Sequence, residues 1–133
     1  MKKIKFILLL FFSIQINNLC YSDESVLPKQ LDVGEIYQKK CDSGDAQACN
    51  NLAYLFDYGK GNSKDKFKAI ELYKKACHGG IAISCSNLGL IYENGEGVPK
   101  DNSKSFHFFS IACDLKDELG CVNSAKAKWR LRR

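Results

Sequence analysis

The spacing of its cysteines constrains what this chain can fold into more than any other feature. Six of the seven cysteines form two series with a step of 36 residues: Cys41, Cys77 and Cys113, then Cys49, Cys85 and Cys121. A unit that carries two cysteines has therefore been copied along the chain. Repeats with a period of roughly 20 to 50 residues are typical of solenoid proteins, in which each unit packs on its neighbours.

Apolar residues inside the repeat follow the period of an α-helix. Two stripes with steps of about three or four residues occur in the first complete unit: Ala48, Leu52, Leu55 and Phe56, then Phe67, Ile70, Tyr73 and Ala76. Such stripes predict two helices in each unit, and about six helices between Leu31 and Leu131, with no strand. The predicted fold class is all-α, a short α/α solenoid of helix-turn-helix repeats with a period of 36 residues.

Turn residues mark where the predicted helices end and begin. Gly59 and Gly95 follow the predicted first helix of each unit. Glycine accepts the left-handed backbone that closes a helix, so both positions indicate a helix end. Asp65 and Asp101 precede the second helix, where a carboxylate caps free N–H groups. This register predicts a repeat domain at 23–133, with complete units at about 49–84 and 85–120 and half-units at 31–48 and 121–133.

The N-terminal residues differ from the repeats in composition. Lys2, Lys3 and Lys5 precede an apolar run at 6–14, which is too short to cross a bilayer. A positive flank followed by a short apolar run predicts a signal peptide, which we place at 1–22 with cleavage near Ser22. The protein would then be secreted or periplasmic, without a transmembrane segment.

Export accounts for the cysteine content. Cleavage near Ser22 removes Cys20 and leaves six cysteines, an even number that suits three disulfides in an oxidising compartment. The alternative is a lipoprotein anchored through Cys20, although Leu19 then occupies a position where Gly, Ala or Ser is usual.

Charge and metal-ligand patterns exclude two further classes of protein. Removal of the three leader lysines lowers the net charge from +5 to +2, and five basic residues lie among the last eight: Lys126, Lys128, Arg130, Arg132 and Arg133. The remaining body is net acidic, so no nucleic-acid-binding surface is predicted. Seven residues between paired cysteines exceed the usual zinc-ligand spacing of about two to four. We therefore predict no metal and no cofactor.

Several matched motifs resemble a known repeat family. Gly95-x-Gly97-Val98, the Lys-Asp pair that follows, and the alanine-rich second helix resemble the Sel1-like repeat, a relative of the tetratricopeptide repeat. With a cysteine pair around each inter-repeat turn, the chain is similar to the Helicobacter cysteine-rich proteins, a secreted branch of that family. It departs from the pattern at Asn62-Ser63, which replaces Val-Pro, and at Leu115-Lys116, which replaces two glycines and leaves that turn's shape open.

We predict that each disulfide is local and joins the two cysteines around one inter-repeat turn. We expect three bridges, each joining one helix end to the start of the next: Cys41–Cys49, Cys77–Cys85 and Cys113–Cys121. Two complete units are a thin stack, since about three units are usually needed to hold a core. Closing a nine-residue loop should contribute on the order of 2–3 kcal/mol in the chain-entropy model.

The resemblance also implies a β-lactamase that acts on penicillin and cephalosporin nuclei. Serine β-lactamases use a nucleophile one helical turn before a lysine, and the chain has one such string from Ser63 to Lys66. The segment from Tyr92 to Asn94 is reminiscent of the Tyr-x-Asn element, but no Lys-Thr-Gly or Lys-Ser-Gly partner exists. Ser63 also lies in a repeat turn, where capping residues are expected, so the motif has a structural explanation.

A binding function is the other interpretation. A β-lactam mimics the acyl-D-Ala-D-Ala end of a cell-wall peptide, and repeat stacks offer a concave face for extended peptides. We expect five side chains to line that face: Asn51, Tyr54, Tyr58, Asn87 and Asn94. The aromatics could instead pack between helices. The register shared by Asn51, Asn87 and Asn123 fits either ligand contact or a helix hydrogen bond. Two hypotheses result. One is a β-lactam or cell-wall-peptide binder with at most weak hydrolysis, and the other is a non-catalytic module for peptides or proteins of the bacterial envelope or host.

Overall fold

Six helices make up the part of the chain that the computed structural model describes, residues 32–61 and 63–133. They are α1 (Val33–Asp42), α2 (Ala46–Tyr58), α3 (Lys66–His78), α4 (Ala82–Asn94), α5 (Asn102–Asp114) and α6 (Glu118–Leu131). The predicted all-α solenoid is confirmed, and no strand occurs in these residues. The predicted signal peptide at 1–22, its cleavage near Ser22 and the Cys20 alternative lie outside the described residues.

The helices pack in chain order. Each helix contacts the next one along the chain, and α4 also contacts α6. Helices α2 and α4 occupy the same place in successive repeats, as do α3 and α5, because each pair is offset by 36 residues. This nearest-neighbour packing is the arrangement expected of a repeat solenoid.

Short polar and glycine caps fix the helix ends. The carboxylates of Asp65 and Asp101 accept hydrogen bonds from the backbone N–H groups of Lys68 and Lys104, three residues further on. At the other end of the preceding helices, Gly59 and Gly95 have φ angles of 66° and 69°. These caps satisfy backbone groups that a helix end leaves free, so α2 and α4 end, and α3 and α5 begin, where the sequence predicts.

The turn that lacks the family's glycines keeps the same backbone shape. Gly80, after α3, has a φ of 89°, and Lys116, which lies one period later, has a φ of 70°. Lys116 is the one non-glycine residue with a positive φ among the described residues. The Lys116 N–H still donates to the Cys113 carbonyl at 2.9 Å, as the Gly80 N–H does to Cys77 at 3.0 Å.

The core consists of buried side chains that every helix contributes, from Cys41 in α1 to Ala127 in α6. Leu52, Tyr73, Leu88 and Phe109 are its largest apolar members, and each is at most 1% exposed. The predicted α3 stripe is wrong at Phe67, which is 71% exposed. Steps of three residues drift by about 60° each around a helix, so a run of three steps carries the first residue to the opposite side.

Three disulfides join the ends of consecutive helices, as predicted. They link Cys41 to Cys49, Cys77 to Cys85, and Cys113 to Cys121, with Cα–Cα distances between 4.4 and 4.9 Å. Disulfides persist in oxidising compartments, which indicates an extracellular or periplasmic protein. None of the helices between residues 32 and 133 combines the length and apolarity needed to span a bilayer.

Candidate functional site

A groove on the face formed by α1, α2 and α4 is lined by most of the predicted binding residues. Its volume is about 520 Å³, and α3 supplies its floor. Four tyrosines line it, together with three asparagines: Tyr37, Tyr54, Tyr58 and Tyr73, then Asn50, Asn51 and Asn87. Val33, Leu55 and Ile83 complete the wall. The described lining residues carry no formal charge, so the groove offers hydrogen bonds and aromatic surface.

Tyr54 and Tyr58 form the exposed aromatic edge of the groove. They lie one turn apart on α2, are 41% and 60% exposed, and their ring centroids are 4.5 Å apart. The Lys60 ammonium donates a hydrogen bond to the Tyr54 hydroxyl oxygen at 3.2 Å. The alternative, that these rings pack between helices, is wrong for both residues, since each is exposed and on the groove.

The asparagine amides present hydrogen-bonding groups toward the groove. The Asn51 Oδ1 accepts from Gln47 at 3.2 Å and from Asn50 at 3.4 Å. These bonds hold the Asn51 amide in place while its own NH₂ group has no acceptor among the described residues. Asn50 is held in turn, because its Oδ1 accepts from the buried Ser84 hydroxyl at 2.7 Å.

Tyr73 closes the floor of the groove. Its side chain is fully buried, and its hydroxyl donates to Asp57 Oδ2 at 3.3 Å. Burial, and then the negative charge of Asp57, raise the pKa of the Tyr73 hydroxyl well above its ordinary value, against a smaller opposing hydrogen bond from Asn87. Tyr73 therefore stays a neutral hydrogen-bonding group at any physiological pH.

Lys66 belongs to a charge cluster rather than to the groove lining. Its ammonium forms ion pairs with Asp57 and, at 2.8 Å, with Glu96 from the turn after α4. Partial burial acts to lower the pKa of Lys66, but hydrogen bonds and the charges of Asp57 and Glu96 outweigh it and raise that pKa. Lys66 is thus a fixed cation that ties one repeat to the next.

The structure places the predicted site residues in two regions. Asn51, Tyr54, Tyr58 and Asn87 line the groove, whereas the Asn94 amide donates to Glu96 Oε1 at 3.1 Å. Ser63 is an exposed residue of the turn before α3, three positions before Lys66 in the sequence. Whether any of these residues binds or reacts with a ligand stays a prediction.

Sequence reasoning missed three polar members of the groove. Tyr37 and Tyr73 lie one period apart, so the repeat spacing itself was a usable signal for both. Asn50 precedes Asn51, and its role depends on Ser84 of the next repeat. No pattern within one unit indicates that contact.

Comparison with known proteins identifies the repeat. The family model described as the Sel1 repeat matches residues 46–81 and 82–117. The matched segments have the period inferred from the cysteines and begin three residues before the units placed at 49–84 and 85–120. No curated protein matches the chain.

Three solved structures share the architecture. A Sel1 repeat protein from Oxalobacter formigenes is 28% identical, with a TM-score of 0.61 and 65% of each chain covered. Cysteine rich protein B of Helicobacter pylori is 29% identical, with a TM-score of 0.65, over 75% of this chain and 74% of that one. A protective antigen of uropathogenic Escherichia coli with an SLR fold is 23% identical, with a TM-score of 0.67, over 74% of this chain and 21% of the antigen. The chain thus spans 65% of the Oxalobacter protein and about a fifth of the antigen.

Proposed function

Because the chain belongs to the Sel1 repeat family, we propose that it is an exported module that binds an extended peptide segment of a protein partner in the groove of α1 to α4. Proteins built from Sel1 repeats are protein-binding. One observation carries the proposal for this chain. Asn51 and Asn87, one repeat apart, lie on the same solvent-facing groove beside the exposed rings of Tyr54 and Tyr58.

The groove suits a peptide backbone chemically. An extended peptide presents N–H and C=O groups along both edges, and an asparagine amide both donates and accepts. Asn51 and Asn87 sit at equivalent positions of neighbouring repeats, so they can contact the backbone at two separated points. Tyrosines add contact area with little loss of side-chain freedom, as they do in antibody paratopes.

Cell-wall peptides and β-lactams are further ligands that we propose for this groove. Their acyl-amide backbone offers the same donors and acceptors as an extended peptide, which is the chemistry that the asparagines complement. The lining residues carry no formal charge, and the nearest cation is the Lys60 ammonium on the Tyr54 hydroxyl at the edge. Recognition would therefore depend mainly on amide hydrogen bonds and on stacking against Tyr54 and Tyr58.

Hydrolysis through Ser63 and Lys66 stays a prediction, and the contacts of Lys66 favour binding over catalysis. A lysine that activates a serine must give up its proton, but Asp57 and Glu96 raise the pKa of Lys66. Turnover of a chromogenic cephalosporin by the oxidised protein, with Ser63→Ala alongside, tests this directly. We expect no turnover that depends on Ser63. Turnover by the unaltered protein that disappears in Ser63→Ala would instead establish an enzyme.

The binding proposal is tested with asparagine variants. A peptide selected from a random display library on the oxidised protein serves as the probe, and its affinity is measured by calorimetry. Asn87→Ala should weaken binding roughly five- to tenfold, the equivalent of one lost hydrogen bond. Asn94→Ala is the matched control, because Asn94 bonds to Glu96 outside the groove lining. Equal losses in both variants would place the peptide elsewhere.

We also propose that residues 1–22 direct export. The three disulfides support this, since they form in an oxidising compartment. Mass spectrometry of the protein recovered from an exporting host distinguishes the two routes. A chain that begins at Asp23 indicates cleavage near Ser22, whereas a lipid-modified Cys20 indicates a lipoprotein.

A further inference from the structure

Helix α6 ends the described stack with an exposed face that has no helix packed on it. Ala53 of α2 is fully buried, and Gly89 of α4 lies against the Phe109 ring of the following helix. Ala53, Gly89 and Ala125 are 36 residues apart and so occupy equivalent positions, but Ala125 is exposed. Val122 lies three residues before Ala125 and Trp129 four residues after it, so the three residues share one side of α6. Val122 and Trp129 are 52% and 55% exposed.

The sequence of this face differs from one that accepts another repeat helix. Phe56 packs against the core, and Tyr92, one period later, is 7% exposed and stacks on Phe108 with ring centroids 5.6 Å apart. The equivalent residue one further period along the chain is Lys128, which is exposed. A lysine at this position would place a charge in the interface with a following helix, so the face suits a different occupant.

Positive charges flank the apolar strip on both sides. Five of the eight residues from 126 to 133 are basic. Arg130 forms an ion pair with Glu93, and the Arg133 guanidinium lies 3.8 Å from the centroid of the Trp129 ring. Among the described residues, no acidic partner occurs for the other three: Lys126, Lys128 and Arg132. An exposed apolar strip that ends in a tryptophan and has cations at its borders suits a lipid interface, where tryptophan and basic side chains are both favoured.

We propose that α6 docks on an anionic phospholipid surface, with Val122 and Trp129 at the level of the headgroups and Lys126 and Lys128 on the phosphates. Basic residues beside an anionic leaflet are each attracted to it, and the attraction falls off within a Debye length. The surface lies on α6, outside the groove of α1 to α4. The protein can therefore sit on a membrane and hold a peptide at the same time.

Trp129 reports on this contact, because it is the only tryptophan in the chain. The exported, processed protein is titrated with phosphatidylglycerol-containing vesicles and with pure phosphatidylcholine vesicles at low ionic strength. We expect a blue shift of the Trp129 emission and co-sedimentation with the anionic vesicles alone. Added salt should reverse both effects.

Lysine-to-glutamate variants test whether vesicle binding depends on this face or on the net charge of the whole surface. Lys126→Glu with Lys128→Glu should weaken partitioning at least about 25-fold, since each basic residue near the surface contributes roughly fivefold. Lys39→Glu with Lys40→Glu makes the same change of net charge on exposed residues of α1 and should have a much smaller effect.

Three results would overturn the proposal. The first is an unshifted Trp129 emission with anionic vesicles at low salt. The second is an equal loss of partitioning in the α1 and α6 variants. The third is binding of Trp129 to an acidic protein while the anionic vesicles stay unbound, which would identify a protein partner instead.

Discussion

Removing the central disulfide should destabilise the protein more than removing the C-terminal one, although both close loops of the same sequence separation, eight residues. The chain-entropy contribution of each bridge is about 2.5 kcal/mol for a loop of this size. Their surroundings differ: Cys77 and Cys85 are 3% and 0% exposed, whereas Cys113 and Cys121 are only half-buried. Loss of each well-packed sulfur adds roughly 1 kcal/mol for the cavity it leaves.

The expected free energies of unfolding follow from these two contributions. The variant Cys77→Ala with Cys85→Ala should lose about 4–5 kcal/mol, and Cys113→Ala with Cys121→Ala about 2.5–3 kcal/mol. Urea unfolding under non-reducing conditions, followed by far-UV circular dichroism, measures both losses. Emission of Trp129 on α6 shows whether the C-terminal helix loosens before the rest of the stack.

The reasoning fails if the C-terminal bridge proves as important as the central one. Equal losses would mean that loop closure alone sets the stabilisation and that the burial of Cys77 and Cys85 adds nothing. A loss well below about 2 kcal/mol in both variants would refute the chain-entropy estimate itself.

Two further substitutions test the packing of the stack and its charge cluster. In Gly89→Ala, the new Cβ would lie 2.6 Å from the Phe109 ring. We therefore expect the free energy of unfolding to fall by about 1–2 kcal/mol in thermal unfolding, despite the better helix propensity of alanine. An unchanged melting temperature would contradict the close packing. In Glu96→Gln, the variant loses a carboxylate whose pKa is lowered by the hydrogen bond from Lys66 and then by that from Asn94. A lowered pKa stabilises the fold above the unfolded pKa and ceases to do so as pH falls through the folded pKa. Glu96→Gln should therefore be less stable at pH 7 by up to about 1 kcal/mol, and the difference should shrink below about pH 4.3. A difference independent of pH in urea titrations would argue against the ion pair.

The repeat architecture could be predicted because its determinants are local and recur in register. The caps by Asp65 and Asp101 involve backbone groups only three residues away. The left-handed backbone at Gly59 and Gly95 likewise depends on one residue. Lys116 marks the limit of this reasoning, since its left-handed backbone is held by the surrounding repeat although its own side chain disfavours it.

The groove could be predicted only in part because its wall comes from several helices. Asn51 and Asn87 were identified from the period, which places equivalent residues on one face of the stack. Asn94 has the same register as Tyr58, yet its amide bonds to Glu96 in the adjoining turn, a contact that no sequence pattern indicates. Side chains that meet across repeats, such as Asn50 and Ser84, need the structure to be paired.

The placement of the disulfides divides the molecule mechanically as well as chemically. The bridges tie α1 to α2, α3 to α4 and α5 to α6, so the described stack consists of three covalently closed helical hairpins. The connections from α2 to α3 and from α4 to α5 have no such tie. A protease cut within a bridged turn would leave the two pieces attached, whereas a cut between hairpins would let them separate once the packing opens. Under tension, each bridge would protect only the nine-residue loop that it closes, so the fully extended oxidised chain should be shorter than the reduced chain by the length of three such loops.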